Sequence, residues 1–254
     1  MTHSHASSHL RPHMPAWTAV VRRHGFVFLF GAMLVFFALL PVLDELREEG
    51  LPLMPHLTRI SLFLLVLAGV VVSVSRTWSG RIAALAVSLT TIVLWALPAE
   101  WFDWRGQILR HLAAILFFGY AVVVFLTLIF LSQHVTLNLL CAALCVYLLL
   151  GIGWAVGYSL MSVLNPRSFF STIPGPSPGE AMLIGSNQSM EAVYFSFATL
   201  TTLGYGDIVP ISAAARLFTV FEAVIGQLFL TVLVAQLVAM HVVHLQSRRN
   251  TTGL

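Results

Sequence analysis

Lysine is missing from this chain altogether: all 13 of its basic residues are arginines. Charge of either sign is scarce. Charged residues make up 9% of the 254 positions and hydrophobic ones 58%. A soluble domain carries about a quarter charged residues, so an ordinary water-borne globule is excluded. Cysteine is nearly absent too. Cys141 and Cys145 are too few for a disulfide framework and sit one helical turn apart in an apolar run, where free thiols are expected. No Walker motif, no metal-spaced Cys/His set and no nucleophile with a base is found, so neither an enzyme nor a resident cofactor is expected. The formal net charge of +3 comes from arginines scattered along the loops, which does not argue for nucleic acid.

What the chain does contain is long apolar runs: Phe26–Leu43, Ile60–Ser75, Ile82–Leu97, Ile108–Leu131, Val135–Met161 and Ala215–His244. Each suits a hydrocarbon core about 30 Å thick, the second and third being on the short side. Arg22 and Arg23 ahead of the first run look like the start of a signal peptide, but the run is too long and lacks a small-residue cleavage site. It reads as a first transmembrane helix. Residues 1–24 are a polar tail with His3, His5, His9 and His13, read as disordered because no metal-ligand geometry is implied.

Between the last two runs lies Thr201-Thr202-Leu203-Gly204-Tyr205-Gly206-Asp207. Glycine at alternate positions admits left-handed backbone angles, so successive carbonyls can point the same way. Upstream, Met190–Leu200 is an apolar and aromatic run of about eleven residues, too short to span a bilayer and more like a re-entrant segment. Ser189 is its N-cap candidate, and Glu191 suits the positive end of its dipole.

The stretch from Thr201 to Asp207 resembles the selectivity filter of potassium channels, and the resemblance extends over residues 189–243. It implies an all-α membrane protein: six transmembrane helices, with a re-entrant pore helix and filter between the fifth and sixth. The implied potassium sites are the oxygens of Thr202, Leu203, Gly204 and Tyr205, with Gly206 and Asp207 completing the filter. Leu203 stands where the family usually has Val, and its larger side chain must pack behind the filter. One pore loop per chain supplies a quarter of a ring, so a homotetramer is implied, in contact with membrane lipids and potassium ions.

A filter loop enters from outside, which places both termini in the cytoplasm of a multi-pass protein of the cell (inner or plasma) membrane. The charges agree. Arg11, Arg22, Arg23, Arg76, Arg81, Arg248 and Arg249 fall on inner segments free of acids, although Arg47, Arg59, Arg105, Arg110, Arg167 and Arg216 are external. Asn165–Gln188, rich in Pro and Gly, reads as an outer turret without helix or strand.

On the sixth helix Gln227, Leu230, Thr231, Val234 and Val238 share one face, assigned to the inner cavity. Gly226 is either a bending point, as the resemblance implies, or a site of close packing against the pore helix. Glu222 is the one acid within a span. It lies about 140° around the helix from Gln227, hence behind the filter, where Ser196 or Thr199 would bond it and Thr201 gives further support. His241 and His244 share a face near the inner mouth. Charging them at acid pH would spread the helix ends, unless they merely complement the helix dipole.

No helix carries arginines at every third position, so a conventional voltage sensor is not expected. The domains are then a tail (1–24), four helices without sensor arginines (25–131), a pore domain (132–245) and a short cytoplasmic tail (246–254). Only Ser132–Thr136 joins the fourth and fifth helices, which spans at most about 18 Å and excludes a long linker helix along the membrane, so the first four helices are expected to pack beside the pore helices of their own chain. Passive, potassium-selective conduction is the expected function. A weakly selective cation channel, or a non-conducting membrane sensor or scaffold, is the alternative.

Overall fold

The computed structural model describes residues 16–48, 61–67, 78–97, 101–132, 136–172 and 189–252; some helical side chains, those of His241 and His244 among them, lie outside the described residues. The elements in chain order are α1 (Ala16–Glu48), a helical stretch α2 (residues 61–67), α3 (Trp78–Ala96), α4 (Trp104–Leu131), α5 (Leu137–Leu164), the strand β1 (Phe169–Ser171), α6 (Ser189–Leu200), the strand β2 (Ile208–Pro210) and α7 (Ala213–Thr252). Helix dominates because a backbone facing hydrocarbon must satisfy its N–H and C=O groups within its own segment. Four helical stretches among the described residues are long and apolar enough to cross a membrane: His24–Val42, Trp104–Leu131, Leu137–Leu164 and Ala213–Gln236. The second expected span is described only at residues 61–67. The third falls in α3, whose described apolar part is the shorter Leu85–Ala96. The histidine tail of residues 1–15 lies outside the described residues.

Side-chain caps mark the starts of α4 and α5, which a short connection joins. Asp103 caps α4 by accepting from Gly106 N at 2.9 Å, and Thr136 caps α5 by accepting from Leu139 N at 3.2 Å. Because the connection is short, the two helices run back alongside one another, and their contact is the most extensive among the described residues. α1 lies on another side of α5. Phe26 N donates to Asn138 Oδ1 at 2.9 Å, and the Phe26 ring meets Phe125 edge-on at 5.0 Å. Farther along α1, Phe37 meets Phe197 of α6 edge-on at 5.2 Å. Phe63 of α2 sits among Trp95, Phe117 and Phe118, completing a core that includes Met33, Ala121, Val146 and Leu149.

Two expectations need correction. Arg110 is not on a loop. It is buried in α4, with its guanidinium 5.0 Å from the centre of the Trp95 ring and 5.3 Å from that of Phe102. Aromatic faces offer a cation partial compensation for lost water, which makes burial in this apolar setting tolerable. The segment after α5 is also not free of strand. β1 pairs antiparallel with β2 in the register Phe169↔Pro210, Phe170↔Val209, Ser171↔Ile208. The ladder forms because Phe169 fills a second core, 5.4 Å from both Tyr158 and Phe195, and Pro210 sits at a strand end where its missing donor is tolerated. Residues 173–188 lie outside the described residues.

The seating of α6 depends on a small residue in α5. A Cβ on Gly151 would lie 2.5 Å from the Phe197 ring, so α6 approaches as closely as it does only because that side chain is missing. Gly151→Ala is therefore expected to destabilise the protein by about 1–3 kcal/mol, the usual effect of overpacking. Combined with Phe197→Leu, it should cost less than the sum of the two single changes. Unfolding midpoints of the purified protein in detergent measure both.

Candidate functional site

α6 is a 12-residue helix with Glu191 in its first turn, and the chain leaves its C-terminal end in an unusual backbone. Thr201 N donates to Phe197 O at 3.0 Å and Thr202 N to Thr199 O at 2.9 Å. Leu203 N and Gly204 N then both donate to Ala198 O, at 2.8 and 3.1 Å. Beyond that point Thr202, Gly204 and Gly206 have φ of 58°, 55° and 81°, while Leu203 and Tyr205 between them keep negative φ. Left-handed and ordinary residues alternate along the stretch. That alternation allows successive carbonyls to line one side, an arrangement closed to a helix or a regular strand. Thr202 is the only positive-φ residue other than glycine among the described residues, at a cost of about 1–2 kcal/mol.

The far end of the stretch is tied down through Asp207. Its Oδ2 accepts from the Tyr194 hydroxyl at 2.5 Å, its Oδ1 from Ile208 N at 2.9 Å, and its carbonyl from Thr172 N at 2.8 Å. The bond to Asp207 pushes the Tyr194 hydroxyl up to about 12, so it remains a protonated donor in ordinary buffers. The Tyr194 and Tyr205 rings stack nearly parallel, 6.3 Å apart. Leu203 does not pack behind the stretch on its own chain: it is 56% exposed, and Tyr205 is 67% exposed.

Behind α6, Glu222 of α7 is completely buried. Ser196 Oγ bonds Glu222 Oε1, and the Tyr158 hydroxyl of α5 donates to Glu222 Oε2. Sequence reasoning anticipated Ser196 or Thr199 as partners of Glu222. Thr199 contributes only its carbonyl, to Thr202, and the second hydroxyl comes from Tyr158, which nothing in the local pattern singled out. Thr201 turns its hydroxyl back onto Phe197 O at 2.6 Å.

α7 passes Gly226 without interruption. A Cβ at Gly226 would lie 2.8 Å from both Leu200 O and Leu200 Cδ1, so the glycine lets α7 touch the end of α6. The same carbonyl accepts from the Tyr147 hydroxyl at 3.2 Å. Gln227, Thr231, Val234 and Val238 are exposed and Leu230 is half-buried, so none of the described residues covers this face. Farther along, α7 carries His241 and His244, whose side chains lie outside the described residues.

Residues 126–242 match the family model Ion_trans_2, described as "Ion channel". This segment matches an ion-channel domain. The domain is similar to the two pore potassium channel c of Oryza sativa subsp. japonica, at 34% identity over 87 residues, or 34% of this chain and 18% of that protein. It is also similar to the voltage-gated potassium channel Kch of Escherichia coli (strain K12), at 57% identity over 37 residues, 15% and 9% of the two chains. Two-pore potassium channel 4 of Arabidopsis thaliana is 39% identical over 61 residues, 24% of this chain and 21% of that one. The chain thus spans about a fifth or less of the length of these relatives. No solved structure matches it significantly.

Within the ion-channel domain, the close approach at Gly226 leads to a clear expectation. Gly226→Ala should push α7 away from Leu200 and lower stability by about 1–3 kcal/mol. Gly226→Ala combined with Leu200→Ala should remain destabilised, because the backbone oxygen of residue 200 is still in the way. Thermal unfolding of the wild type and of these two variants in detergent checks this.

Proposed function

We propose that the chain is a potassium-selective channel that assembles as a homotetramer, with residues 202–207 of the four copies forming a single filter on the symmetry axis. The observation that carries this reading is the alternation of left-handed backbone at Thr202, Gly204 and Gly206 at the end of a short helix. A ring of carbonyls from such segments replaces the hydration shell of a dehydrated cation, with the hydroxyl of Thr202 adding an oxygen below them. Two further features support it. Leu203 and Tyr205 are large side chains left uncovered by their own chain, as expected of residues that lean on a neighbouring copy. The relatives named above are potassium channels.

In this reading α1, α4, α5 and α7 are transmembrane spans, and the regions around α2 and α3 supply two more. The re-entrant α6 enters from outside, both termini are cytoplasmic, and the membrane is the cell membrane. The face with Gln227, Leu230, Thr231, Val234 and Val238 lines the inner cavity, and His241 and His244 stand near its mouth. With no run of arginines along any span, conduction is passive and is not driven by a conventional voltage sensor. The first four helices pack beside the pore helices of their own chain, a reading supported by the contacts of Phe26 with Asn138 and of Phe37 with Phe197.

Flux measurements on the purified protein in liposomes test the function. Wild type is expected to pass potassium and to exclude sodium, Gly204→Ala to abolish selective flux with the assembly intact, and Leu203→Val to preserve selectivity. Sodium flux equal to potassium flux in the wild type would favour the weakly selective alternative, and no flux of either ion would favour a sensor or scaffold. The packing of the first helices has its own test. Phe37→Cys with Phe197→Cys, bridged by a short thiol-reactive linker, should leave a monomer band on a denaturing gel. A ladder of linked chains would show a domain swap.

A further inference from the structure

Glu222 is an acid completely buried between three helices, and it forms no ion pair among the described residues. Among the described residues, the titratable groups that face it are Tyr158 and Tyr147, both from α5; α6 faces it with the Ser196 hydroxyl, and no basic group there compensates its charge. Counting protons around it decides its form. There are three contacts: Tyr158 hydroxyl to Glu222 Oε2, Ser196 Oγ to Glu222 Oε1, and Ser196 Oγ to the carbonyl of Gly151 at 2.7 Å. Each needs one hydrogen. Tyr158 supplies the first. The Gly151 carbonyl can only accept, so the single hydroxyl proton of Ser196 belongs to that contact. The contact between Ser196 Oγ and Glu222 Oε1 then has no hydrogen unless Glu222 provides it. With Glu222 as a carboxylate, two oxygens carrying lone pairs would be pressed together inside an apolar core, beside a charge with no counterion, and both are costly.

We propose that Glu222 works as a neutral carboxylic acid, a positioning residue whose proton completes a chain from α7 through Ser196 of α6 to Gly151 of α5. The inference rests on the channel reading above for its consequence, which is that one proton sets the orientation of the helix that carries the filter. Ser196 lies two residues before Ala198, whose carbonyl holds Leu203 and Gly204. A tilt of α6 at Ser196 is therefore transmitted to the first carbonyls of the filter. Gln at position 222 would reproduce the pattern, since its amide nitrogen donates to Ser196 and its oxygen accepts from Tyr158. Ala would supply neither bond.

Infrared spectroscopy of the intact assembly in liposomes, together with potassium and sodium flux, tests this. Wild type at neutral pH is expected to show the carbonyl stretch of a protonated carboxylic acid that E222Q lacks. E222Q should keep the potassium-to-sodium ratio within about twofold of wild type, and E222A should lose about tenfold or more. Absence of that band from the wild type would overturn the proposal. So would an E222Q as damaged as E222A, or an E222A as selective as the wild type. Should the wild type pass no ion at all, the channel reading fails, while the infrared band still decides the form of Glu222.

Discussion

Residues 203–206 have almost no hydrogen bonds of their own. Among the described residues, their backbone is held only where Leu203 N and Gly204 N share the carbonyl of Ala198; Tyr205 and Gly206 donate to nothing. A segment with alternating backbone handedness cannot propagate itself as a helix or strand does, because neither repeating ladder fits it. Its shape must therefore be imposed from its two ends. At one end stands α6, and at the other Asp207, fixed by Tyr194, Ile208 and Thr172. Most of the packing around this segment reads as the means of keeping those two ends in place.

α6 is held on three sides by contacts of different kinds. Against α5 it relies on shape: the missing side chain of Gly151 receives Phe197. Against α7 it relies on shape again at its end, where Gly226 lets the helices touch at Leu200, and on polarity in its middle, where Ser196 meets Glu222. Against α1 it has the edge-on contact of Phe197 with Phe37. Isolated, a 12-residue helix is marginal in water, and most of its stability comes from the tertiary contacts of its faces. The two-stranded ladder of β1 and β2 completes the frame by joining the end of α5 to the segment after Asp207. It is small, but it places Thr172 where its amide reaches the Asp207 carbonyl.

Polar groups in this apolar environment are few and are mostly tied to their surroundings. Glu222 has two hydroxyl partners, Arg110 has two aromatic faces, and Thr201 and Thr231 return their hydroxyls to carbonyls one turn back. That economy suits a bilayer, where an unsatisfied group has no water to turn to. By contrast, the Gln227 face of α7 and the side chains of Leu203 and Tyr205 are uncovered. Among the described residues, a single chain pairs most of its buried polar groups, Arg110 Nε excepted, and is open along Leu203, Tyr205 and the Gln227 face.

Much of this was legible in the amino-acid sequence, for physical reasons that can be named. Apolar run length depends on bilayer thickness, so α1, α4, α5 and α7 could be read directly. The alternate glycines at 204 and 206 announced left-handed backbone, and the short aromatic run before them announced a helix too short to span. The position of Glu222 opposite Gln227 followed from helix periodicity alone. Other features depended on contacts between segments far apart in sequence, which no local pattern encodes. The partnership of Tyr158 with Glu222 joins residues 64 positions apart, and the strand at Phe169–Ser171 exists only because Ile208–Pro210 comes to lie beside it. Thr202 carries a side chain that disfavours positive φ, so its left-handed backbone is imposed by its neighbours and could not be inferred from its type. Gly226 permitted two readings in one dimension, and only the nearness of the Leu200 backbone shows what its missing side chain makes room for. Periodicity and run length determine which face of a helix is apolar and where the chain turns. Which oxygen meets which proton is decided only when the helices are packed.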